Sequence, residues 1–302
     1  MIDHPRLSMA LGLLLALTGL THQAAAQPLG AQPSAAQQSD VRKPGPLPAF
    51  APAQSGQSDP HLPPGLQSAR LLPGWTDGAG NRVMALELQL APGWKTYWRS
   101  PGDTGLPPHF DWQGGTNLRD VTLHWPAPQA IDSGGMPEMG YNDRLILPFT
   151  ARPADPGQPV QVRALIDLGL CENICVPASL DLVAPPPGDA PDPAITAALA
   201  AEPQRLDHRP ACRVTEIEDG LSVAMDLPPQ GAALAAIELT GHPEVWVSGA
   251  RIAAGPAGPE AVVQMVGPSG RPFDLDPAAL RMTVIPEDGA RATETMGCAP
   301  AG

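Results

Sequence analysis

Val160-Gln161-Val162-Arg163-Ala164-Leu165-Ile166-Asp167-Leu168-Gly169-Leu170-Cys171 places an apolar residue at every even position and mostly polar ones between them. A period of two marks a strand with one face on a core. The stretch therefore reads as a half-buried strand that delivers Cys171 to its end. Outward from it the pattern repeats. Met84, Leu86, Leu88 and Leu90 alternate with Val83, Ala85, Glu87 and Gln89, and Val121, Leu123 and Trp125 stand opposite Asp120, Thr122 and His124. Further runs at Leu145-Ile146-Leu147 and Leu180-Asp181-Leu182-Val183 complete a set whose count and spacing suit an antiparallel sandwich.

Composition supports this class. The chain has 302 residues, of which 40 are proline and 31 glycine, which argues against long helices and for short strands joined by turns. The net charge of -13 disfavours nucleic acid and anionic lipid as partners. Pro185-Pro186-Pro187-Gly188-Asp189 marks a boundary, followed by a short helix predicted over 193–201 with Asp192 as N-cap and Pro193 at its first position. Beyond it, strands are expected over 213–217, 221–225, 245–247, 262–266 and 280–284. Two β domains in tandem, 61–185 and 186–302, are the economical reading.

The N-terminus reads as an export signal. Arg6 precedes an apolar run from Met9 to Leu20, and Ala24-Ala25-Ala26 offers the small residues a signal peptidase accepts, giving a signal peptide over 1–26. That run is too short to span a bilayer, and no later stretch is long enough either, so a soluble exported chain is expected. Residues 27–60, rich in Pro, Ala and Gln, read as a disordered linker. All four cysteines, Cys171, Cys175, Cys212 and Cys298, follow the leader, where disulfides persist. Four cysteines allow three pairings, and spacing alone does not choose among them.

On one straight strand Cys171 and Cys175 would stand about 13 Å apart, beyond bonding reach. A reversal through Glu172-Asn173-Ile174, with Asn173 accepting a left-handed conformation, would set them opposite each other across a hairpin. Closing so short a loop contributes roughly 2 kcal/mol in the chain-entropy model, whereas a Cys212–Cys298 loop would contribute roughly 4.5 kcal/mol. The short pair is the weaker staple, and its closeness suits thiol–disulfide exchange. The long pair reads as a structural disulfide tying the C-terminal tail to the start of the second domain.

Four ordered blocks, Pro92-Gly93-Trp94-Lys95-Thr96-Tyr97-Trp98-Arg99, Pro101-Gly102-Asp103-Thr104-Gly105-Leu106-Pro107-Pro108, Gly140-Tyr141-Asn142-Asp143-Arg144-Leu145-Ile146-Leu147-Pro148 and Cys171-Glu172-Asn173-Ile174-Cys175-Val176-Pro177, resemble the periplasmic N-terminal domain of the disulfide-interchange protein DsbD, and within that family its suppressor-of-copper-sensitivity (ScsB) branch. The resemblance implies an immunoglobulin-like domain, and the expected fold is thus all-β with two tandem immunoglobulin-like antiparallel sandwiches. It further implies a periplasmic thiol:disulfide oxidoreductase without cofactor or metal, taking electrons from a membrane-embedded transporter and passing them to oxidised periplasmic thiol proteins. Cys171 and Cys175 carry over as the catalytic pair. Gly134, Gly135, Met136, Pro137 and Tyr141 fall where the family places a cap over the disulfide, although the family's aromatic tip is absent here. Relatives continue into a transmembrane and a thioredoxin-like domain. With neither before Gly302, the expected electron source is a separate membrane protein.

Other residues have plainer readings. Trp94, Tyr97 and Trp98 are expected in the core more than in a partner groove. Asp103, Glu138 and Asp143 are expected to be solvated loop acids, and Glu172 to raise a neighbouring thiol pKa by like-charge repulsion. His109 and His124 read as surface residues. Two alternatives stand beside the redox reading: a Cu(I)-binding module using both thiols with Met136 and Met139, and a non-catalytic adaptor domain.

Overall fold

Val160, Val162, Ala164, Ile166 and Leu168 are all buried, 0% to 7% exposed, while Gln161, Arg163, Leu165 and Asp167 between them are exposed. The computed structural model describes residues 62–300 except 230, so the expected leader and linker lie outside the described residues. Ten strands come first: β1 (Leu66–Thr76), β2 (Arg82–Leu90), β3 (Lys95–Tyr97), β4 (His109–Asp111), β5 (Leu118–Leu123), β6 (Gln129–Asp132), β7 (Pro137–Asn142), β8 (Arg144–Pro153), β9 (Arg163–Cys171) and β10 (Cys175–Val183). They form a four-stranded sheet, β1-β2-β8-β5, and a six-stranded sheet, β10-β9-β3-β7-β6 with β4 also on β9. All pairings in both are antiparallel.

The expected stripe on β2 packs with Leu147, Phe149 and Trp98 in one core, each buried leucine contributing about 1.5–3 kcal/mol. The opposite face of β2 departs from the alternation, because it is buried as well. Helix α1 (Pro193–Ala200) lays Ile195 on Val83, Ala85 and Leu72. Glu87, on the same face, is held between Arg70 and Arg144. The helix starts where predicted: Asp192 accepts hydrogen bonds from the N–H groups of Ala194 and Ile195, satisfying two donors that have no partner within the helix.

The C-terminal half adds β11 (Gln204–Leu206), β12 (Ala211–Ile217), β13 (Gly220–Asp226), β14 (Leu234–Leu239), β15 (Trp246–Val247), β16 (Arg251–Ala254), β17 (Pro259–Val266), β18 (Leu280–Ile285), β19 (Thr293–Met296) and β20 (Ala299–Pro300). One sheet runs β11-β19-β18-β14 and the other β15-β17-β13-β12-β20, with β16 on β17. Two short edge pairings, β11 with β19 and β12 with β20, are parallel.

Strand β14 is buried on both sides. Leu234 and Ala236 belong to the N-terminal core, whereas Ala235 and Ile237 belong to the C-terminal one. A strand with no solvent face shows no apolar–polar alternation, which is why Leu234-Ala235-Ala236-Ile237 gave no strand signal in the sequence. The described residues fall within one compact unit.

Candidate redox site

Strand β9 ends at Cys171 and β10 begins at Cys175, the two residues directly opposed with Cα atoms 4.1 Å apart and their sulfurs bonded. The chain reverses through residues 172–174, where the Glu172 N–H donates to the Ile174 carbonyl. Asn173 does not take the expected left-handed conformation; among the described residues the non-glycine ones at positive φ are Asn117 and Asp143. The two sulfurs are unequal. Cys171 is 1% exposed, while Cys175 is open to solvent.

Register explains the difference. Lys95 on β3 pairs with Cys171 on one side and with Asn142 of β7 on the other. Alternation therefore puts Lys95, Tyr97, Gly169, Cys171 and Glu138 on the outer face of the sheet, and Thr96, Met139, Tyr141 and Leu170 on the core face. The Tyr97 hydroxyl reaches both sulfurs, 2.9 Å from Cys171 Sγ and 3.2 Å from Cys175 Sγ. Its ring lies over Gly169, and a Cβ added there would meet Tyr97 ring carbons at 3.0 Å. Burial, with the Glu138 carboxylate adding to it, pushes the Tyr97 hydroxyl up to about 12 from its ordinary 10. At neutral pH the phenol keeps its proton and serves as a donor.

Tyr97 is itself covered, at 1% exposure. The segment 100–106 folds back across it: Gly105 comes against its ring and Leu106 sits beside it over Gly169. Beneath the segment lies a polar cluster. Lys95 Nζ donates to Glu138 and Ser133, Ser133 Oγ donates to Glu138 at 2.6 Å, and Thr104 Oγ1 donates to Glu138 at 2.5 Å. Burial alone would raise the Glu138 carboxyl, but hydrogen bonds from Lys95, Ser133 and Thr104 outweigh it and hold the group below its ordinary 4.5. Glu138 is thus a buried ion-pair partner, correcting its expectation as a solvated loop acid.

The expected cap residues go elsewhere. Gly134 and Gly135 form the exposed β6–β7 turn with open space around them. Met136 is 52% exposed and lines a groove with Gly102 and Asp103 on one side and Leu234, Ala235 and Ile252 on the other. The backbone oxygen of Pro137 lies 3.7 Å from where a Cβ of Gly102 would stand. Tyr141 is a core residue whose hydroxyl donates to the Pro126 carbonyl at 2.8 Å. The contacts on the sulfurs come from Tyr97, whose strand position was visible in the sequence but whose facing depended on the β3–β9 register. Met139 turns to the core face, opposite Cys171, so Met136 and Met139 do not assemble with the two sulfurs as the copper alternative requires.

Trp98 is fully buried and Trp94 partly so. Asp103 accepts from the Gly249 N–H, and Asp143 lies in the tight turn between β7 and β8. The side chain of Glu172 approaches Gly93. His109 is exposed on β4, and His124 bonds Thr150 at 2.8 Å. Cys212 and Cys298 are bonded to each other, Cα atoms 5.7 Å apart, with both side chains in the C-terminal core. The N-terminal pair combines an exposed cysteine with a buried one, and a phenol donor lies against both sulfurs.

Residues 68–187 match the family model for the N-terminal domain of the thiol:disulfide interchange protein DsbD. The DsbD match takes in both strands of the cysteine hairpin, Tyr97 and the segment folded over it. The crystal structure of the N-terminal periplasmic domain of ScsB from Proteus mirabilis is similar in fold, with a TM-score of 0.54 at 23% sequence identity over 76% of this chain and 92% of that one. That coverage exceeds the DsbD match, so the likeness in fold runs on into the C-terminal sheets. No curated protein matches the chain. Among the described residues no helix is long and apolar enough to cross a membrane.

Proposed function

We propose that the chain is a periplasmic thiol–disulfide interchange protein that relays electrons from a membrane-embedded transporter to oxidised periplasmic thiol proteins through Cys171 and Cys175. We read its two pairs of sheets as tandem immunoglobulin-like sandwiches. The observation that carries the proposal is the inequality of the two sulfurs, with the Tyr97 hydroxyl against both. A donor thiolate attacks the exposed Cys175 Sγ, the Cys171–Cys175 bond breaks, and Cys171 leaves as a thiolate that accepts the Tyr97 hydrogen bond. A second donor thiolate then displaces Cys175, leaving the donor oxidised to a disulfide and the pair reduced by two electrons. In the delivery half, the Cys175 thiolate attacks a target disulfide and one target sulfur leaves as a thiolate. Cys171 resolves the mixed disulfide, restoring the Cys171–Cys175 bond and releasing the second target thiolate.

Trapping tests this directly. In periplasmic extracts Cys171→Ser should accumulate mixed disulfides at Cys175, while Cys175→Ser should accumulate few. Absence of adducts from both variants would leave the pair as a staple.

A further inference from the structure

Between the two C-terminal sheets lies a cavity of about 380 Å³. One wall comes from the sheet that carries β11, β18 and β19. Thr295 on β19 is opposed by Met282 of β18 on one side and Leu206 of β11 on the other. Alternation sets the three on the face that Val284 shares, and all four line the cavity. Glu294 turns the other way, to Arg99 Nη2 at 2.6 Å. The facing wall is Pro210, Leu227 and Pro228. Its backbone has little to offer a ligand: both prolines lack an N–H, the Leu227 N–H donates to the Pro259 carbonyl, and the Pro210 carbonyl accepts from the Ala299 N–H, each at 2.9 Å. His208, exposed, and Asp226, half-buried, also line the cavity and stand on its solvent side.

Thr295 is 4% exposed, and its Oγ1 has no hydrogen-bond partner among the described residues. A buried hydroxyl left unpaired costs stability. Valine has the same shape without the oxygen and would fill a strand position beside Met282 and Leu206 at no such cost. The hydroxyl faces an apolar cavity whose volume falls within the roughly 300–1,000 Å³ of small-molecule sites, which pair apolar walls with a few fixed polar groups. We propose that this cavity binds a small uncharged apolar molecule carrying one oxygen, an alcohol, phenol or ketone, with its body between Met282 and Leu227 and its oxygen accepting from Thr295 Oγ1. Asp226 and the net charge of -13 select against a carboxylate. The site lies wholly beyond residue 187, where the DsbD match ends, and it is independent of the redox reading.

The test follows the side-chain methyl signals of the full oxidised chain by NMR as 2-naphthol is added at pH 7, where it is uncharged. The Met282 and Leu227 methyls should shift and saturate, with half-saturation below about 1 mM. Naphthalene, which lacks the oxygen, should bind about tenfold more weakly, and anionic 2-naphthoate should leave these methyls unmoved. Thr295→Val should weaken 2-naphthol about tenfold, leave naphthalene unchanged and melt no lower than the parent, since it removes an unpaired buried hydroxyl. Unmoved methyls with 2-naphthol would overturn the proposal, as would shifts centred on Leu234 and Ile252 in the other groove. Equal affinity of Thr295→Val and parent for 2-naphthol would overturn it too, and binding of 2-naphthoate as tight as that of 2-naphthol would refute the uncharged class. If Thr295→Val fails to fold, the parent decides: naphthalene binding as tightly as 2-naphthol would show that the Thr295 hydroxyl reads no oxygen.

Discussion

Gly169 is the floor on which the Tyr97 ring lies: a Cβ at position 169 would stand 3.0 Å from Cδ2 and Cε2 of that ring, and 2.9 Å from Leu106 Cβ. Gly169→Ala should therefore lift the ring from the sulfurs. Overpacking of this kind costs about 1–3 kcal/mol. A lower urea midpoint together with faster reduction of Cys171–Cys175 by glutathione is expected. Reduction at the parent rate would mean that the ring yields sideways and remains on the sulfurs.

Removing only the phenol oxygen separates cover from donor. Tyr97→Phe keeps the ring but takes away the hydrogen bond that the leaving Cys171 thiolate would accept. A hydrogen bond to a charged group contributes about 1.5–3 kcal/mol, which for a two-electron couple corresponds to a potential about 30–60 mV more negative. Equilibration against glutathione redox buffers measures it. An unchanged potential would show that the hydroxyl does not stabilise the reduced pair.

The two disulfides should part company under mild reduction. Cys175 is exposed, whereas Cys212 and Cys298 are 6% and 5% exposed in the C-terminal core. Dithiothreitol titration with thiol counting should open Cys171–Cys175 first and leave Cys212–Cys298 closed until the fold loosens. Simultaneous opening would argue for two staples.

Acidification should act through Glu138. Its folded-state pKa lies below the ordinary 4.5, so the ionised carboxylate contributes stability that is complete above that value and is lost as pH falls through the lowered one. Because Glu87 and Asp181 are lowered too, the informative quantity is the difference between parent and Glu138→Gln. The parent should be the more stable at pH 7, and the gap in urea midpoint should narrow towards pH 3. A pH-independent gap would assign the effect of the substitution to packing.

Leu88 lies 1% exposed among Leu86, Leu145 and Leu147. Leu88→Ala should cost about 2–5 kcal/mol in urea unfolding, and Leu88→Asp should prevent folding, since a carboxylate there meets no donor. Normal melting of Leu88→Asp would put this strand face outside the core.

Much of the N-terminal half was legible because its strands keep one wet face: Val160 to Leu168 alternates in sequence as it alternates in burial. On β2 the stripe was readable, but the burial of Val83 and Ala85 was not, since it depends on Ile195 arriving from more than a hundred positions away. The site was legible to the same degree. Cys171 and Cys175 declare a hairpin by their spacing, whereas Tyr97 and Lys95 join them only through the pairing of β3 with β9. Glu138 looked like a loop acid because its ion-pair partner, Lys95, is 43 positions distant.

Strand β14 serves as a party wall, with Leu234 and Ala236 facing one core and Ala235 and Ile237 the other. The end of the DsbD match at residue 187 is consequently not a boundary of packing. A fragment cut there would carry an open apolar notch where Leu234 and Ala236 had been, and recombination that exchanged one half of the molecule would have to match the new half to the old wall. Through that shared strand the two halves should melt as one unit.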